Sequence, residues 1–535
     1  MDKSHYGSRN PSELPFESPF LRRCILAAYW ALVLVALPAW WHTTSIERLP
    51  LPMSQVMAQT KREIEFPLNI RLSSAVDGVD ADAVAHELER SLRSRLSSQL
   101  FVLPTGLNDV SVSSEPGSYW VKLTDGVQES VVEENVLQHR WDVRDSTASS
   151  TLANRLAALL SPYSEHAHAE QHEHVVSKYA SRYHIAFTLL NEDAASGKSA
   201  LSWQIREALQ RIMRPVFKRL GPLHNFTIES QVQFHAPLAF TPTAVDVNGT
   251  EVYGLTPEDL TVFVNSAEWT LSSGVTNDPI LHFLLFVPSA FRRPLHILDS
   301  AGTLTRSHSF ILPQWGGVVI YNPPPETQGN FHILSSQLDS ILPIFRHQLL
   351  SLLGVPRLPS GVKSVSGSLS TWQIDALLRR RAHENAREAQ QTLGSIVKLV
   401  EQIENMPVGK DVKRDVEDAL SALDQAFEAA LISPKLAFDH SSRALTLTSR
   451  AFFNPGMLAL LYFPPEHRLA VYTPLFASAT VPLIVAVIRE FAAWRKQRKT
   501  AASSGIADIT SVGYCPSSAT FDHNDVITKV GLNQR

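Results

Sequence analysis

A run of histidines is the part of the sequence whose residue types come closest to a metal site. The run and its flanks contain five histidines and three glutamates, which are His166, His168, His172, His174, His184, Glu165, Glu170 and Glu173. A zinc site needs several such ligands to converge tetrahedrally. The run lacks the H-E-x-x-H spacing that places two ligands on one helical face. We therefore interpret 166–174 as a solvated loop or linker, with a zinc-dependent hydrolase as the catalytic alternative.

Nucleophilic catalysis has little support elsewhere in the chain. The sequence contains only two cysteines, Cys24 and Cys515, and they lie close to its two ends. No G-x-S-x-G elbow, phosphate-binding loop or dinucleotide fingerprint is present. We therefore predict no catalytic residue, no metal site and no cofactor.

Two further local patterns concern surfaces. The consecutive basic residues Arg379, Arg380 and Arg381 are interpreted as a solvated helix face. The alternative is a site that docks onto an acidic subunit surface or onto lipid headgroups. Asn225-Phe-Thr and Asn248-Gly-Thr are sequons, so Asn225 and Asn248 are predicted N-glycosylation sites.

Two long apolar segments decide where these residues would lie. They run over 24–41 and 469–488, and each has about the length of 20 residues that a membrane-spanning helix needs. Basic residues are concentrated before the first segment and after the second. They are Lys3, Arg9, Arg22, Arg23, Arg489, Arg495, Lys496, Arg498 and Lys499. The positive-inside rule therefore predicts cytosolic termini and a lumenal middle region. A cleaved signal peptide is the weaker interpretation of the first segment.

The region between these segments shows both strand and helix patterns. Strands are predicted at 66–72, 119–123, 141–143, 183–190, 226–235, 260–264, 280–287 and 318–321. Helices are predicted at 81–100, 151–160, 202–220, 331–353, 371–405, 410–431 and 434–453. Because strands and helices alternate, the fold class is a large mixed α/β lumenal domain with a C-terminal helical stalk, flanked by two transmembrane helices.

The predicted organisation follows from these elements and from the Ser/Gly/Pro-rich stretch at 356–370. In chain order it comprises a cytosolic tail (1–23), transmembrane helix 1 (24–41), a lumenal α/β region (42–355, with a division near 161–182 left open), a linker (356–370), a lumenal helical region (371–468), transmembrane helix 2 (469–488) and a cytosolic disordered tail (489–535). The net charge of −4 gives no sign of a nucleic-acid binder. A standalone membrane-tethered scaffold remains a further alternative.

Several segments together resemble one protein family. In order along the chain they are Pro38–Ile46 (PAWWHTTSI), Tyr183–Leu190 (YHIAFTLL), Asn225–Val232 (NFTIESQV), Trp372–Arg381 (WQIDALLRRR) and Ala451–Phe463 (AFFNPGMLALLYF), the last continuing through Pro464 and into Val481–Leu483. They are similar to the S subunit of the glycosylphosphatidylinositol (GPI) transamidase. That family more often has Glu at the position of Gln373 and Asp-Pro-Ser at 454–456. Neither departure touches known chemistry.

The resemblance implies a non-catalytic subunit of an endoplasmic-reticulum membrane complex. That complex cleaves a C-terminal signal from a precursor protein and joins the new carboxyl end to the ethanolamine amine of a GPI lipid. Its chemistry passes through a thioester on a cysteine, assisted by a histidine, in a separate caspase-like subunit. The expected partners are that subunit, other membrane subunits and membrane lipid, with direct contact to the GPI lipid or to the precursor left open.

Overall fold

The computed structural model describes residues 18–44, 48–94, 100–104, 117–125, 129–160, 175–247, 249–271, 277–365, 369–403, 406–458 and 465–507. The chain forms two compact units. One comprises Met1–Arg48, Asn405–Pro407 and Pro455–Arg535, and the other comprises Leu49–Glu404 and Val408–Asn454.

Helices and strands alternate through the larger unit, and the smaller unit has helices only among its described residues. The helices are α1 (Pro19–Thr44), α2 (Met53–Gln59), α3 (Ala81–Arg93), α4 (Ala148–Leu160), α5 (Ile205–Ile212), α6 (Arg214–Leu220), α7 (Pro257–Thr261), α8 (Ser335–Leu352), α9 (Thr371–Gln402), α10 (Lys410–Ala430), α11 (Pro434–Phe452), α12 (Pro455–Leu458) and α13 (Pro465–Ala507). The strands are β1 (Leu68–Ser74), β2 (Leu100–Pro104), β3 (Ser118–Thr124), β4 (Ser130–Glu133), β5 (Val136–Arg140), β6 (Arg182–Asn191), β7 (Ala200–Trp203), β8 (Asn225–Gln233), β9 (Thr243–Val247), β10 (Thr250–Leu255), β11 (Ile280–Val287), β12 (Leu295–Ile297), β13 (Ser309–Leu312), β14 (Gly316–Ile320), β15 (Phe331–Ile333) and β16 (Val362–Ser364).

The first sheet of the larger unit has the strand order β16-β4-β5-β3-β1-β2. Strand β1 is parallel to both β2 and β3, and β4 and β5 form an antiparallel pair. The alternation in β1 buries Leu68, Ile70 and Leu72, as expected for side chains that share one face. Helix α3, capped by the Asp80 side chain, connects β1 to β2. Trp372 of α9 joins the same core, so the helical region packs on this sheet.

The second sheet has the order β13-β14-β11-β6-β8, in which only β13 is antiparallel to its neighbour. Strands β6 and β11 are almost continuously apolar and buried, because parallel strands at the centre of a sheet are covered on both faces. On one face the rings of Phe187 and Phe283 pack on Phe345 of α8. On the other, Phe286 packs on Phe263 in a core shared with β10 and β12.

Helices α9, α10 and α11 form a layer in which α11 packs against both of the others. Their contact faces are rich in small buried residues, including Ala386, Ala422, Ala426, Ala437 and Ala444. Small side chains let helix backbones approach closely, and the buried area stabilises the layer. The predicted helical region is therefore part of the larger unit for most of its length.

Several predicted elements differ in the structure. The strand predicted at 260–264 is wrong: α7 begins at Pro257, and a capping box between Thr256 and Asp259 starts it, a helix signal that the apolar run obscured. The strand predicted at 141–143 is also wrong, because the strand of that region is β5.

The helix predicted at 202–220 is two helices, α5 and α6, preceded by strand β7. Pro215 lies at the start of α6, where its missing N–H interrupts a continuous hydrogen-bond ladder. The helix predicted at 81–100 ends at Arg93, and Leu100 already belongs to β2.

Other boundaries also moved. The predicted linker contributes β16, which pairs with β4, and 489–507 of the predicted disordered tail (489–535) belong to α13. The rest of that tail, 508–535, lies outside the described residues.

The two predicted apolar helices are confirmed in the smaller unit. Apolar windows long enough to cross a membrane lie at Phe20–Ala39 in α1 and at Ala470–Lys496 in α13, and neither window is buried within the protein. Helix α1 continues through Pro38. At one end of the pair, Glu490 of α13 accepts hydrogen bonds from Arg22 at 2.9 Å and from Arg23 at 2.7 Å. The start of α1 therefore lies beside Glu490, two residues after the apolar segment predicted at 469–488.

Candidate functional site

The structure does not place the arginine run of α9 on a solvated helix face, as the sequence predicted. Arg379 is 2% exposed and Arg381 is 4% exposed, so the interpretation of a solvated face is wrong for both, as is the alternative of a docking surface. Arg379 lies seven residues after Trp372, which is two helical turns. The periodicity of the buried stripe could therefore have placed it inside.

Arg379 joins α9 to the first sheet. Its guanidinium donates to the hydroxyl of Tyr119 on β3 and lies 5.6 Å from the centre of that ring. The Tyr119 hydroxyl in turn donates to Asp375 Oδ2 at 3.0 Å, and Trp372 packs on the same ring with centroids 4.3 Å apart. A buried cation is thus balanced by a carboxylate one turn earlier and by a shared phenol, as buried charge requires.

The electrostatics of this cluster indicate a structural role. Burial raises the pKa of the Tyr119 phenol, and the neighbouring Arg379 partly opposes that rise. Burial likewise raises the pKa of Asp375, against the attraction of Arg379. Because Tyr119 is fully buried, no substrate reaches its hydroxyl in this conformation. The cluster therefore holds α9 on β3 and has no access for catalysis.

Arg381 joins α9 to the end of α8. Its Nη2 donates to the carbonyl oxygens of Leu353 at 3.1 Å and Ser177 at 3.3 Å. Its Nη1 pairs with Glu384 at 2.9 Å, and Arg380 pairs with the same carboxylate at 2.7 Å. Leu353 caps the end of α8, where carbonyls have no intrahelical donor, so the buried guanidinium satisfies its carbonyl oxygen. This link was invisible in the sequence because both acceptors are backbone atoms.

The start of α9 explains one departure from the family pattern. Ser370 and Gln373 form a capping box: the Gln373 N–H donates to Ser370 Oγ, and Gln373 Oε1 accepts from the Ser370 N–H. The Gln373 Nε2 also donates to the carbonyl oxygen of Pro356 at 2.8 Å. A glutamate could complete the box, but an ionised carboxylate could not donate that last hydrogen bond.

The histidine run 166–174 lies outside the described residues, so its role as a metal site stays untested. Across the part of the chain that is described, no group of three or more His, Cys, Asp or Glu side chains is arranged to hold a metal. His184 pairs with Glu229 at 2.9 Å. His282 stacks on Trp315 with centroids 4.6 Å apart, and burial lowers its pKa to about 4.

The carboxyl edge of the second sheet, where open α/β sheets bind ligands, is occupied by contacts within the chain. Asn191 exchanges two hydrogen bonds with Ala200, at 2.8 and 2.9 Å. Glu192 is 4% exposed, accepts from the Ser289 N–H at 2.7 Å and pairs with Arg292. These polar groups brace the loops at this edge and are not available to a ligand.

The structure describes the asparagine of only one of the two predicted glycosylation sites. Asn225 is the first residue of the edge strand β8, and both Asn225 and Thr227 are exposed. The side chain is accessible to a modifying enzyme, but glycosylation itself stays a prediction. Asn248 lies outside the described residues.

Comparison with known proteins identifies the family. The family model described as "Phosphatidylinositol-glycan biosynthesis class S protein" (PIG-S) matches residues 27–497. The GPI-anchor transamidase component PIGS of Homo sapiens is 29% identical over 546 residues, covering 90% of this chain and 97% of the relative.

Two fungal proteins extend the comparison. The GPI transamidase component PIG-S homolog of Schizosaccharomyces pombe is 27% identical, covering 93% of this chain and 88% of the relative. The GPI transamidase component GPI17 of Saccharomyces cerevisiae is 24% identical, covering 84% of this chain and 88% of the relative. The resemblance noted in the sequence is confirmed. Since the family model spans both apolar helices and the α/β unit between them, the chain belongs to the phosphatidylinositol-glycan biosynthesis class S family.

Proposed function

We propose that this chain is a non-catalytic component of the GPI transamidase of the endoplasmic-reticulum membrane. The observation that carries the proposal is the family match over 27–497, together with relatives from mammals and yeasts that are named as components of that transamidase. In this role the chain scaffolds the transfer of a GPI anchor to the C-terminus of precursor proteins.

The assignment of the chemistry to another chain rests on the cysteines. A thioester mechanism needs a cysteine nucleophile activated by a neighbouring base. This chain has Cys24, which lies within the apolar stretch of α1, and Cys515 near its C-terminus. Neither lies in the α/β unit. A caspase-like partner subunit would supply the cysteine, and this chain would hold its neighbours close together.

The proposed topology has α1 and α13 spanning the membrane, both termini in the cytosol and the α/β unit in the lumen. The basic flanks of the apolar segments support cytosolic termini. The ion pairs of Arg22 and Arg23 with Glu490 support the same arrangement, since they join the start of α1 to a position of α13 just after the apolar segment predicted at 469–488. Two spanning helices joined in this way place both termini on one side.

The partner test is purification of the C-terminally tagged full chain in mild detergent, followed by identification of the proteins that accompany it. Recovery of a caspase-like subunit with other membrane proteins, and accumulation of uncleaved precursors on depletion of the chain, are expected. A chain recovered alone, with normal GPI anchoring after depletion, would contradict the proposal and favour a standalone scaffold.

The topology test uses Asn225 as a reporter, because N-glycans are added only on the lumenal side. Thr227→Ala removes the sequon and should abolish a glycosidase-sensitive shift in electrophoretic mobility, while Thr227→Ser preserves it as the matched control. The shift is measured with Asn248→Gln in the background, so that one site is scored. If the chain with both sequons intact carries no glycan, lumenal placement loses its support.

A further inference from the structure

Helix α13 continues past its apolar segment as a strongly basic helix. The segment predicted at 469–488 is followed by further helix up to Ala507. From 489 to 507 the sequence has five basic residues and one acidic residue, Glu490. The basic residues are Arg489, Arg495, Lys496, Arg498 and Lys499, and all five are exposed. We call these five residues the basic cluster of α13.

The single carboxylate of this stretch is held by the other apolar helix. Glu490 Oε1 accepts a hydrogen bond from Arg23 Nε at 2.7 Å, and Glu490 Oε2 accepts one from Arg22 Nε at 2.9 Å. Both arginines belong to α1. Because both carboxylate oxygens are engaged by α1, Glu490 does not neutralise the basic cluster of its own helix.

Most of the basic cluster has no ionic partner in the part of the chain that the structure describes. Four members form no ion pair there, and they are Arg489, Arg495, Arg498 and Lys499. The Arg498 guanidinium lies over the ring of Trp494, 4.0 Å from its centre. Such a contact orients a guanidinium but does not cancel its charge. The basic cluster therefore presents positive charge that the chain itself leaves uncompensated.

The basic cluster lies on the side of α13 that faces away from α1. Successive residues of an α-helix are turned by about 100° around its axis, and Glu490 marks the direction of α1. Lys499 follows Glu490 by nine residues, which is about two and a half turns and therefore the opposite side. The other four cations lie within about 100° of that opposite direction. Helix α1 therefore leaves the basic cluster open to its surroundings.

The apolar segment before the basic cluster sets its depth in a membrane. As a helix, 469–488 rises about 30 Å, which is the thickness of the hydrocarbon core of a bilayer. Arg489 then lies at the edge of this core, and Lys499 lies about 15 Å further along the helix. The headgroup region is about 5–8 Å thick on each side, and the Debye length at physiological salt is about 8 Å. All five cations therefore lie among the headgroups or within about one Debye length of them.

The aromatic residues between the cations fit this depth. Trp494 packs on Phe491 with ring centroids 5.7 Å apart, and both follow Arg489 within two turns of the helix. Tryptophan is enriched at the interface between the hydrocarbon core and water. The stretch that carries the basic cluster therefore has the side chains of a helix that leaves the membrane through its headgroups.

We propose that the basic cluster of α13 binds phospholipids with net negative headgroups, in the leaflet that borders Arg489. Clusters of about four to eight Lys or Arg beside a spanning helix attract anionic lipids. Headgroups surround a span at this depth without any further protein, which favours lipid over an acidic partner chain as the occupant. The inference rests on the proposed membrane-spanning role of α13. It depends neither on membership of the transamidase nor on which side of the membrane the termini lie.

The test is native mass spectrometry of the full chain in a non-ionic detergent, which resolves each bound lipid as a mass increment. The chain is titrated with phosphatidylserine and, separately, with phosphatidylcholine of the same acyl chains. The apparent Kd of the first bound phosphatidylserine should be about tenfold lower or more, since each nearby cation adds to the attraction. A variant that combines Arg495→Gln, Lys496→Gln, Arg498→Gln and Lys499→Gln should bring the two Kd values within about twofold of each other.

Two control variants separate local charge from other effects. Arg495→Lys with Arg498→Lys conserves the charge and should keep the preference for phosphatidylserine. The matched loss of four charges is made at exposed positions of the larger unit, with Arg206→Gln, Arg214→Gln, Lys218→Gln and Arg387→Gln. This variant should keep the ratio of the two Kd values within about twofold of the unmodified chain. Unchanged thermal unfolding of every variant ensures that the comparison reports lipid binding.

Three outcomes would overturn the proposal. Equal Kd values of the two lipids for the unmodified chain would leave an acidic partner protein as the occupant. A preference that survives loss of the basic cluster would place the lipid site elsewhere, and an equal loss in the variant of the larger unit would make the effect one of total charge. None of these results bears on the partner test, so a failure here is distinguishable from a failure of the transamidase assignment.

Discussion

The two buried arginines of α9, Arg379 and Arg381, contrast with two accessible cations, Lys218 of α6 and Arg346 of α8. The accessible pair lines a groove between α6, α8 and the start of α9. The arginines are buried, and each has acceptors within the chain: Arg379 donates to Tyr119 of β3, and Arg381 donates to the Leu353 carbonyl oxygen and to Glu384 of α9. The groove cations meet no carboxylate among the described residues. Buried cations must be satisfied within the chain, whereas exposed ones remain available to a partner. A basic residue in the sequence therefore says little about its use until its burial is known.

The largest expected effect comes from Arg379→Met. The change removes the cation and leaves Asp375 and the Tyr119 hydroxyl without it, so we expect the free energy of unfolding to fall by about 3–5 kcal/mol. Denaturant unfolding of the full chain in detergent measures the change. Arg387→Met, at an exposed position of the same helix, is the control and should cost less than about 1 kcal/mol. Equal losses of unfolding free energy for the two substitutions would contradict the argument that burial makes Arg379 more important for stability than Arg387.

Three buried histidines extend the comparison to side chains whose positive charge depends on pH. Burial is the main cause that lowers the pKa of His139, His224 and His282, in each case to about 4. Since the unfolded value is about 6.5, the unfolded chain binds protons below that pH while the folded chain does not. Stability is therefore complete above pH 6.5 and is lost as the pH falls towards 4.

Between pH 7 and pH 5.5 we expect a loss of about 1 kcal/mol for each of these histidines, measured from the urea midpoint. His224→Gln combined with His282→Gln should flatten the pH dependence. His86→Gln, at an exposed position of α3, should leave it unchanged. A midpoint that stays constant over this range would contradict the burial argument.

A smaller effect is expected for Tyr119→Phe, which removes only the hydroxyl that Asp375 and Arg379 share. Loss of one buried hydrogen-bonding group should cost about 1–3 kcal/mol. Combining it with Arg379→Met should cost less than the sum of the two, because both act on one network. Strict additivity in this double-mutant cycle would mean that the cluster is not coupled.

The smallest effect is expected at the groove. Lys218→Gln with Arg346→Gln removes both charges but breaks no ion pair, so the free energy of unfolding should change by less than about 0.5 kcal/mol. Denaturant unfolding provides the measurement. A fall in the free energy of unfolding above about 2 kcal/mol would show that interactions within the chain hold these residues, as they hold the α9 arginines.

Sequence patterns predicted the elements whose local signals agree with their environment. The long apolar runs of β6 and β11 and the amphipathic spacing of α9 to α11 were identified with small errors at their ends. Prediction failed at 260–264, where an apolar run concealed the capping box of Thr256 and Asp259. It failed again at 202–220, where Pro215 separates two helices. In both places a local backbone signal overrode hydrophobicity.

Local sequence patterns could not predict which distant residues meet at the candidate sites. Arg381 binds the carbonyl oxygens of Ser177 and Leu353, and any residue type offers a carbonyl. The groove that Lys218 and Arg346 line collects residues from β4–β5, α5, α6, α8 and α9, which lie between Glu134 and Ile374 in the chain. The order of the strands is equally non-local, since β16 (Val362–Ser364) pairs with β4 (Ser130–Glu133), which lies far earlier in the chain.

The sequence by itself determined the two apolar helices, the alternation of strands and helices between them, the absence of a cysteine from that region and the family resemblance. These depend on residue type, short-range spacing and length, because apolar length and periodicity act locally. Only the tertiary structure decided that Arg379 and Arg381 are internal, that the carboxyl edge of the second sheet is occupied and that Lys218 and Arg346 are left uncompensated. Burial and pairing depend on what distant segments bring to a residue, and this is why composition alone could not assign them.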